Sequence, residues 1–201
     1  MGIARQNGET DRQPLLHAVE RATEQPEPEQ SMSRLDSFIR RLEAQRACID
    51  AAARAIADLS GLVIELGLGN GRTYDHLRER LPERRILVFE RDPQPHPDCW
   101  PPPDDLVVGP LDETLPAAAL RWPGAAALIH SDIGTGDPAR NRRVAARLAS
   151  LLPPLLAKGG MVASDQPLAD KRLQPVAPPA GIASDRYFLY RLAGDEVITS
   201  R

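Results

Sequence analysis

The chain has 201 residues, a formal net charge of −3, a pI near 5.8 and 42% hydrophobic residues, which suits one domain with a single core and an appendage. Mild acidity removes any general electrostatic attraction to nucleic acid, and no apolar run approaches the roughly 18 residues of a membrane span. Two cysteines and four histidines lack metal-ligand spacing, and the N-terminus lacks a secretory apolar segment, so a soluble, metal-free cytoplasmic protein is expected.

Residues 1–31 are polar, with Glu20, Glu24, Glu27 and Glu29 interleaved with Pro26 and Pro28. Such a stretch buries too little apolar surface to order itself and reads as a disordered tail. Met32 is then a candidate initiator, and 32–201 the folded domain. Leu35, Phe38, Ile39, Leu42, Cys48, Ile49, Ala52, Ala53 and Ile56 recur mostly at spacings of three, four or seven, which predicts an amphipathic helix. Ser33 with Asp36 resembles a capping box at its start, and the helix is expected to stop near Gly61.

An apolar run over 62–64 reads as a buried strand that ends in Glu65 and a turn carrying Gly67, Gly69 and Gly71. A helix over 72–81 follows, with Tyr74, Leu77 and Leu81 at helical spacing. The residues 86–89 form a second strand closing on Glu90, and 93–103 is a proline-stiffened loop that no regular helix can occupy. Residues 106–108 make a third strand, and no regular element is predicted from Gly109 to Pro116. A fourth strand over 125–129 opens into His130, Ser131, Asp132 and a glycine-containing stretch. A helix over 139–156 is expected to be kinked or divided by Pro153 and Pro154. A fifth strand follows Gly159 and Gly160 and ends at Ser164 and Asp165. The segment 166–184 reads as loop, and 187–192 as a last strand against which 196–199 pairs back or frays.

Strands alternating with helices predict an α/β fold, a doubly wound and mostly parallel sheet covered on both faces. Strand, glycine turn and helix is the layout of a nucleotide-type cofactor loop, because glycine admits positive φ and close ligand approach. A dinucleotide fingerprint would need a third glycine at position 72, which is Arg72, and no Gly-Lys-Ser/Thr phosphate loop is present.

The run Glu65-Leu66-Gly67-Leu68-Gly69-Asn70-Gly71 resembles the first motif of class I S-adenosylmethionine-dependent methyltransferases, an acid followed by Gly-x-Gly-x-Gly. Glu90, closing the second strand, matches that family's ribose-binding acid, and the stretch 155–162 resembles its Leu-x-x-Gly-Gly turn. The resemblance covers most of residues 33–192. It implies a Rossmann-like fold with an antiparallel C-terminal strand, and S-adenosyl-L-methionine as cofactor. It also implies a site in which Gly67, Leu68, Gly69, Asn70, Gly71 and Thr73 form the loop and helix start. Glu65 would orient that loop and meet the ligand's ammonium; Glu90, with Arg91 beside it, would take the ribose hydroxyls. Leu111, or Asp112, would face adenine, because Pro110 stands where the family often has an acid. Ser131 would complete the cofactor site.

Asp132 and His130 open from the fourth strand, which in that family faces the transferred methyl. Asp132 would hold or deprotonate an acceptor and His130 would act as a base, although Asp132 as a cap and His130 as a buried strand residue are the plainer readings. Tyr74 reads as a ring near cofactor or acceptor, His76 as solvated surface, Asp165 as a further polar contact, and Trp100 as a lid or a loop anchor. The Arg40–Arg41 and Arg142–Arg143 pairs read as solvated helix faces. The Asp/Asn-Pro-Pro-Tyr/Phe signature of N-methylating members is absent, and little chain remains for a recognition domain. The expected activity is methyl transfer to a small molecule. A non-catalytic S-adenosylmethionine-binding module and an NAD-dependent reductase are the alternatives.

Overall fold

The structure, a computed structural model, describes residues 33–194. The expectations for residues 1–31, Met32 and 196–199 lie outside it. Helix α1, Arg34–Ala55, starts where Ser33 accepts the Asp36 amide at 3.0 Å and donates its hydroxyl to the Asp36 carboxylate at 2.7 Å. It stops before the predicted end because Arg84, from a distant turn, gathers the carbonyls of Ile56, Leu59 and Gly61 at 2.7–2.9 Å. Its apolar stripe is buried only from Ala44 onwards. Leu35, Phe38 and Ile39, expected on that stripe, are exposed among the described residues.

The sheet has the strand order β3-β2-β1-β4-β5-β7-β6. Strands β1 (Leu62–Leu66), β2 (Ile86–Glu90), β3 (Leu106–Val108), β4 (Ala126–Ser131) and β5 (Leu156–Ser164) run parallel. Strand β7 (Phe188–Leu192) pairs antiparallel with β5 and, on its other side, with β6 (Leu173–Val176). Because side chains alternate across a strand, Leu87 and Phe89 of β2 enter one core and Ile86 and Val88 the other. Helices α1 and α2 (Arg72–Arg80) cover the second face; α3 (Leu111–Arg121) and α4 (Pro138–Leu151) cover the first.

Two elements depart from the sequence reading through proline. Helix α3 follows β3 where no element was expected; Pro116 sits inside it, exposed, while Leu115 and Ala118 hold it to the core. Strand β6 crosses the predicted loop 166–184 with Pro175 in it, which an edge strand tolerates because no central ladder bond is lost. Strand β4 also runs on through His130 and Ser131 instead of opening there. Pro153 and Pro154 end α4 and form a separate 3-10 turn, Pro153–Leu155. Strand β5 begins at Leu156, and its register against β4 shifts between Ala126 and Leu128.

Neighbouring strands in the parallel part leave β1 in opposite directions, with β2 on one side and β4 on the other. In an open α/β sheet the connections separate at that point and leave a crevice beyond the carboxyl ends of the strands.

Candidate functional site

The turn after β1 enters α2 through Gly71, which caps the helix at φ +89°. A Cβ there would lie 2.3 Å from the Cβ of Cys99, so the turn is closed against the proline loop by the absence of a side chain. Gly69 is different: a Cβ would meet nothing within 4 Å, and its backbone borders open space. That space is a cleft of about 540 Å³ at the switch point, within the range of small-ligand sites.

Glu90 closes β2 on the rim of this cleft. One carboxylate oxygen accepts the Leu68 and Gly69 amides at 2.9 and 3.3 Å, and the other accepts those of Arg91 and Asp92 at 2.7 and 3.2 Å. Partial burial would raise its pKa, but the four amides outweigh burial and hold it below the usual value, so it stays ionised. The loop and the acid are thereby one unit, and the two longer contacts are its weaker ones.

Of the residues singled out in the sequence, Gly67, Leu68, Gly69, Asn70 and Thr73 line the cleft, as do Glu90, Arg91, Leu111 and Asp132. Glu65, Gly71, His130 and Ser131 are buried and form no part of its lining. Glu65 is fully enclosed: Thr73 donates its hydroxyl to one oxygen, and His130 Nδ1 lies 2.5 Å from the other. His130 Nε2 lies 2.6 Å from the Tyr187 hydroxyl, which donates onward to the Ser131 carbonyl at 3.4 Å. Both ring nitrogens of His130 are thereby engaged by buried partners. Burial would lower its pKa, but the Glu65 carboxylate outweighs burial and the net direction is upward. The Glu65 carboxylate ties β1 to α2 and β4. His130 is a buried strand residue, the plainer of its two readings, with a buried partner on each ring nitrogen. The Ser131 hydroxyl is buried without a partner among the described residues.

Asp132 does reach the cleft. Arg41 of α1 contacts both its oxygens, at 3.2 and 3.3 Å, and Gln45 donates to one at 2.7 Å. Gln45 is not among the residues that the sequence singles out, and Arg41 reads there as part of a solvated helix face. The signal was present: Arg41 and Gln45 continue the stripe of Cys48 and Ala52 at helical spacing, so the face that packs on the sheet runs on over the cleft. The opposite wall comes from α4, where Val144, Leu148 and Leu151 complete the lining, and Arg147 ties α4 to Asp112 of α3 at 2.9 Å.

The remaining candidates lie elsewhere. Tyr74 is buried beneath the Arg78 guanidinium, 4.9 Å from its ring centroid, and does not line the cleft. His76, expected as solvated surface, is half-buried and bonds Asp50 of α1 at 2.9 Å. Asp165 accepts the Gly134 amide at 2.8 Å, and burial raises its pKa. Trp100 is exposed and outside the lining, and Arg142 and Arg143 are exposed as expected.

An antiparallel β7 set between β5 and β6, beside a glycine turn whose amides hold a strand-end acid, is the arrangement of a Rossmann-like class I methyltransferase. The open side of Gly69 and the ionised Glu90 next to it fit a ligand with a vicinal diol that must approach the backbone closely. The match to a family of S-adenosyl-L-methionine methyltransferases extends over residues 32–192, and the chain belongs to that family. It is a methyltransferase with S-adenosyl-L-methionine as its cofactor.

A solved S-adenosyl-L-methionine methyl transferase from Silicibacter pomeroyi DSS-3 is 44% identical, covering 81% of this chain and 99% of its own, with a TM-score of 0.78. More remote is a Podospora anserina methyltransferase bound to S-adenosylhomocysteine, at 16% identity, 86% and 84% coverage and a TM-score of 0.47. A 16S rRNA (adenine(1408)-N(1))-methyltransferase from Catenulisporales acidiphilia is at 14% identity, 74% and 92% coverage and a TM-score of 0.43. No curated protein is significantly similar to the chain.

Proposed function

We propose that this methyltransferase acts on a small molecule, and that its residues contribute by binding and orienting the reactants. The observation that carries this reading is the size of the cleft. About 540 Å³ lies between α1 on one side and α4 on the other, and a compact acceptor suits the space left beside a cofactor of S-adenosylmethionine's size. When bound, that cofactor supplies an electrophilic methyl group on a sulfonium centre.

Glu90 would take the ribose hydroxyls in place of its two longer amide contacts. The backbone at 67–70 would lie along the ligand, with Thr73 at the helix start and Leu111 beside the adenine. Buried Ser131 would support this site from beneath, and Arg91 would flank the ribose end. No base is assigned, since His130 is sealed. An acceptor with a free lone pair needs only alignment, and holding two reactants in line can supply several kcal/mol of the barrier. The free thiols of Cys48 and Cys99, both buried, support a working place in a reducing cytoplasm.

The test is methyl transfer from radiolabelled cofactor into a cell extract separated into metabolite, RNA and protein fractions. Label in the metabolite fraction is expected. Label in RNA or protein instead would refute a small acceptor, and no label despite cofactor binding would favour a non-catalytic module.

A further inference from the structure

We infer that Arg41 and Asp132 are the paired receptors for the amino-acid end of the cofactor, and that their contact with each other holds that place in the free protein. This rests on S-adenosylmethionine being the ligand of the cleft, and it supplies what the sealing of Glu65 removes. The methionine end carries one ammonium and one carboxylate. Glu65, the acid that the loop motif would offer to the ammonium, is fully buried and already engaged by Thr73 and His130.

Arg41 and Asp132 have opposite charges, both line the cleft, and both stand at the turn after β1. The Asp132 amide reaches back to the carbonyl of Leu66, the residue before the glycine turn, at 3.4 Å. Their side chains keep 41% and 23% of their exposure, so neither is sealed as Glu65 is. The contact between them is also incomplete. A single guanidinium nitrogen, Nη1, spans both carboxylate oxygens, and among the described residues Nε and Nη2 of Arg41 make no hydrogen bond. A planar guanidinium can take a carboxylate with two parallel bonds, and that capacity is unspent here.

Exchange between the two states conserves charge. The free protein holds one cation against one anion; a zwitterion placed between them sets its carboxylate against Arg41 and its ammonium against Asp132. A half-exposed pair is weak enough to be given up. Gln45, which is buried and donates to Asp132 at 2.7 Å, keeps that carboxylate in position when Arg41 turns away. Asp132 thus becomes a cofactor-binding group instead of the acceptor's base. Arg41, on the helix before the first strand, becomes a binding residue outside every motif that the sequence shares with the family.

Calorimetry with two ligands separates this role from general support. S-adenosylhomocysteine has the amino-acid end; 5′-methylthioadenosine has the same nucleoside and thioether without it. The native protein is expected to prefer the first. Arg41→Ala should weaken S-adenosylhomocysteine at least about tenfold, the loss of a charge-assisted hydrogen bond, and leave 5′-methylthioadenosine unchanged. Asp132→Asn should do the same, and Arg41→Lys should recover part of the loss. Thermal midpoints measured alongside show that the variants are folded. Equal weakening of both ligands, or of neither, would overturn the proposal while leaving the cofactor reading intact. Failure of the native protein to bind S-adenosylhomocysteine at all would overturn the cofactor reading and this proposal with it.

Discussion

The glycine turn contains a contrast that two alanine substitutions expose. In Gly71→Ala the new methyl must sit at φ +89° and 2.3 Å from the Cβ of Cys99, an atom fixed to a buried backbone. A left-handed conformation costs an alanine about 1–2 kcal/mol. Forcing a carbon into filled space adds about 1–3 kcal/mol, so Gly71→Ala should destabilise the fold by about 2–5 kcal/mol. Gly69→Ala has the conformational cost, at φ +49°, without the collision, and should cost about 1 kcal/mol. Urea unfolding at constant slope gives both values from the shift in midpoint. Combining Gly71→Ala with Cys99→Gly removes the colliding atom and should show a favourable coupling of about 1–3 kcal/mol, while the φ cost remains. Ligand affinity should rank the other way. Gly69→Ala puts a methyl into the cleft and should weaken S-adenosylhomocysteine binding although the fold survives. If Gly71→Ala costs no more than Gly69→Ala, or Cys99→Gly gives no coupling, the packing argument for this turn is refuted.

Removing the hydroxyl in Tyr187→Phe leaves His130 Nε2 without its hydrogen-bond partner in a fully buried site, and should cost about 1–3 kcal/mol in urea unfolding; unchanged stability would count against this contact. Glu90→Gln removes the charge that four backbone amides satisfy, and should weaken S-adenosylhomocysteine binding about tenfold or more. Because the folded pKa of Glu90 lies below its ordinary value, its stabilisation is complete above that ordinary value, about 4.3, and is lost as the pH falls through the depressed one. The stability gap between the native protein and Glu90→Gln should therefore close towards acid pH; a gap that widens there would contradict the assignment.

The legible parts of this fold were those written by neighbours in sequence. The strand and turn at 62–71 are such a case, as apolar residues and glycine constrain their own backbone whatever surrounds them. The Ser33 cap and the strand over 86–90 were readable for the same reason. Helix α3 was hidden because Pro116 argues against a helix locally, while burial of Leu115 and Ala118 against the sheet overrides it. Strand β6 was hidden because Pro175 is excluded from a central strand and only its place at the sheet edge makes it acceptable.

The site divides along the same line. A cofactor loop, its strand-end acid and the family they belong to follow from residues near one another in the chain, since backbone freedom and a carboxylate at a strand end are local properties. What each acid does was decided by partners far away. Glu65 and Glu90 both lie at the carboxyl end of a strand, yet one is sealed by His130 and Thr73 and the other stands on the rim held by loop amides. Arg41 and Asp132 lie on α1 and at the end of β4, and only folding brings their charges to 3.2 Å. Composition and spacing determine which groups a chain possesses; desolvation and Coulomb interaction depend on distances that exist only once the sheet is assembled.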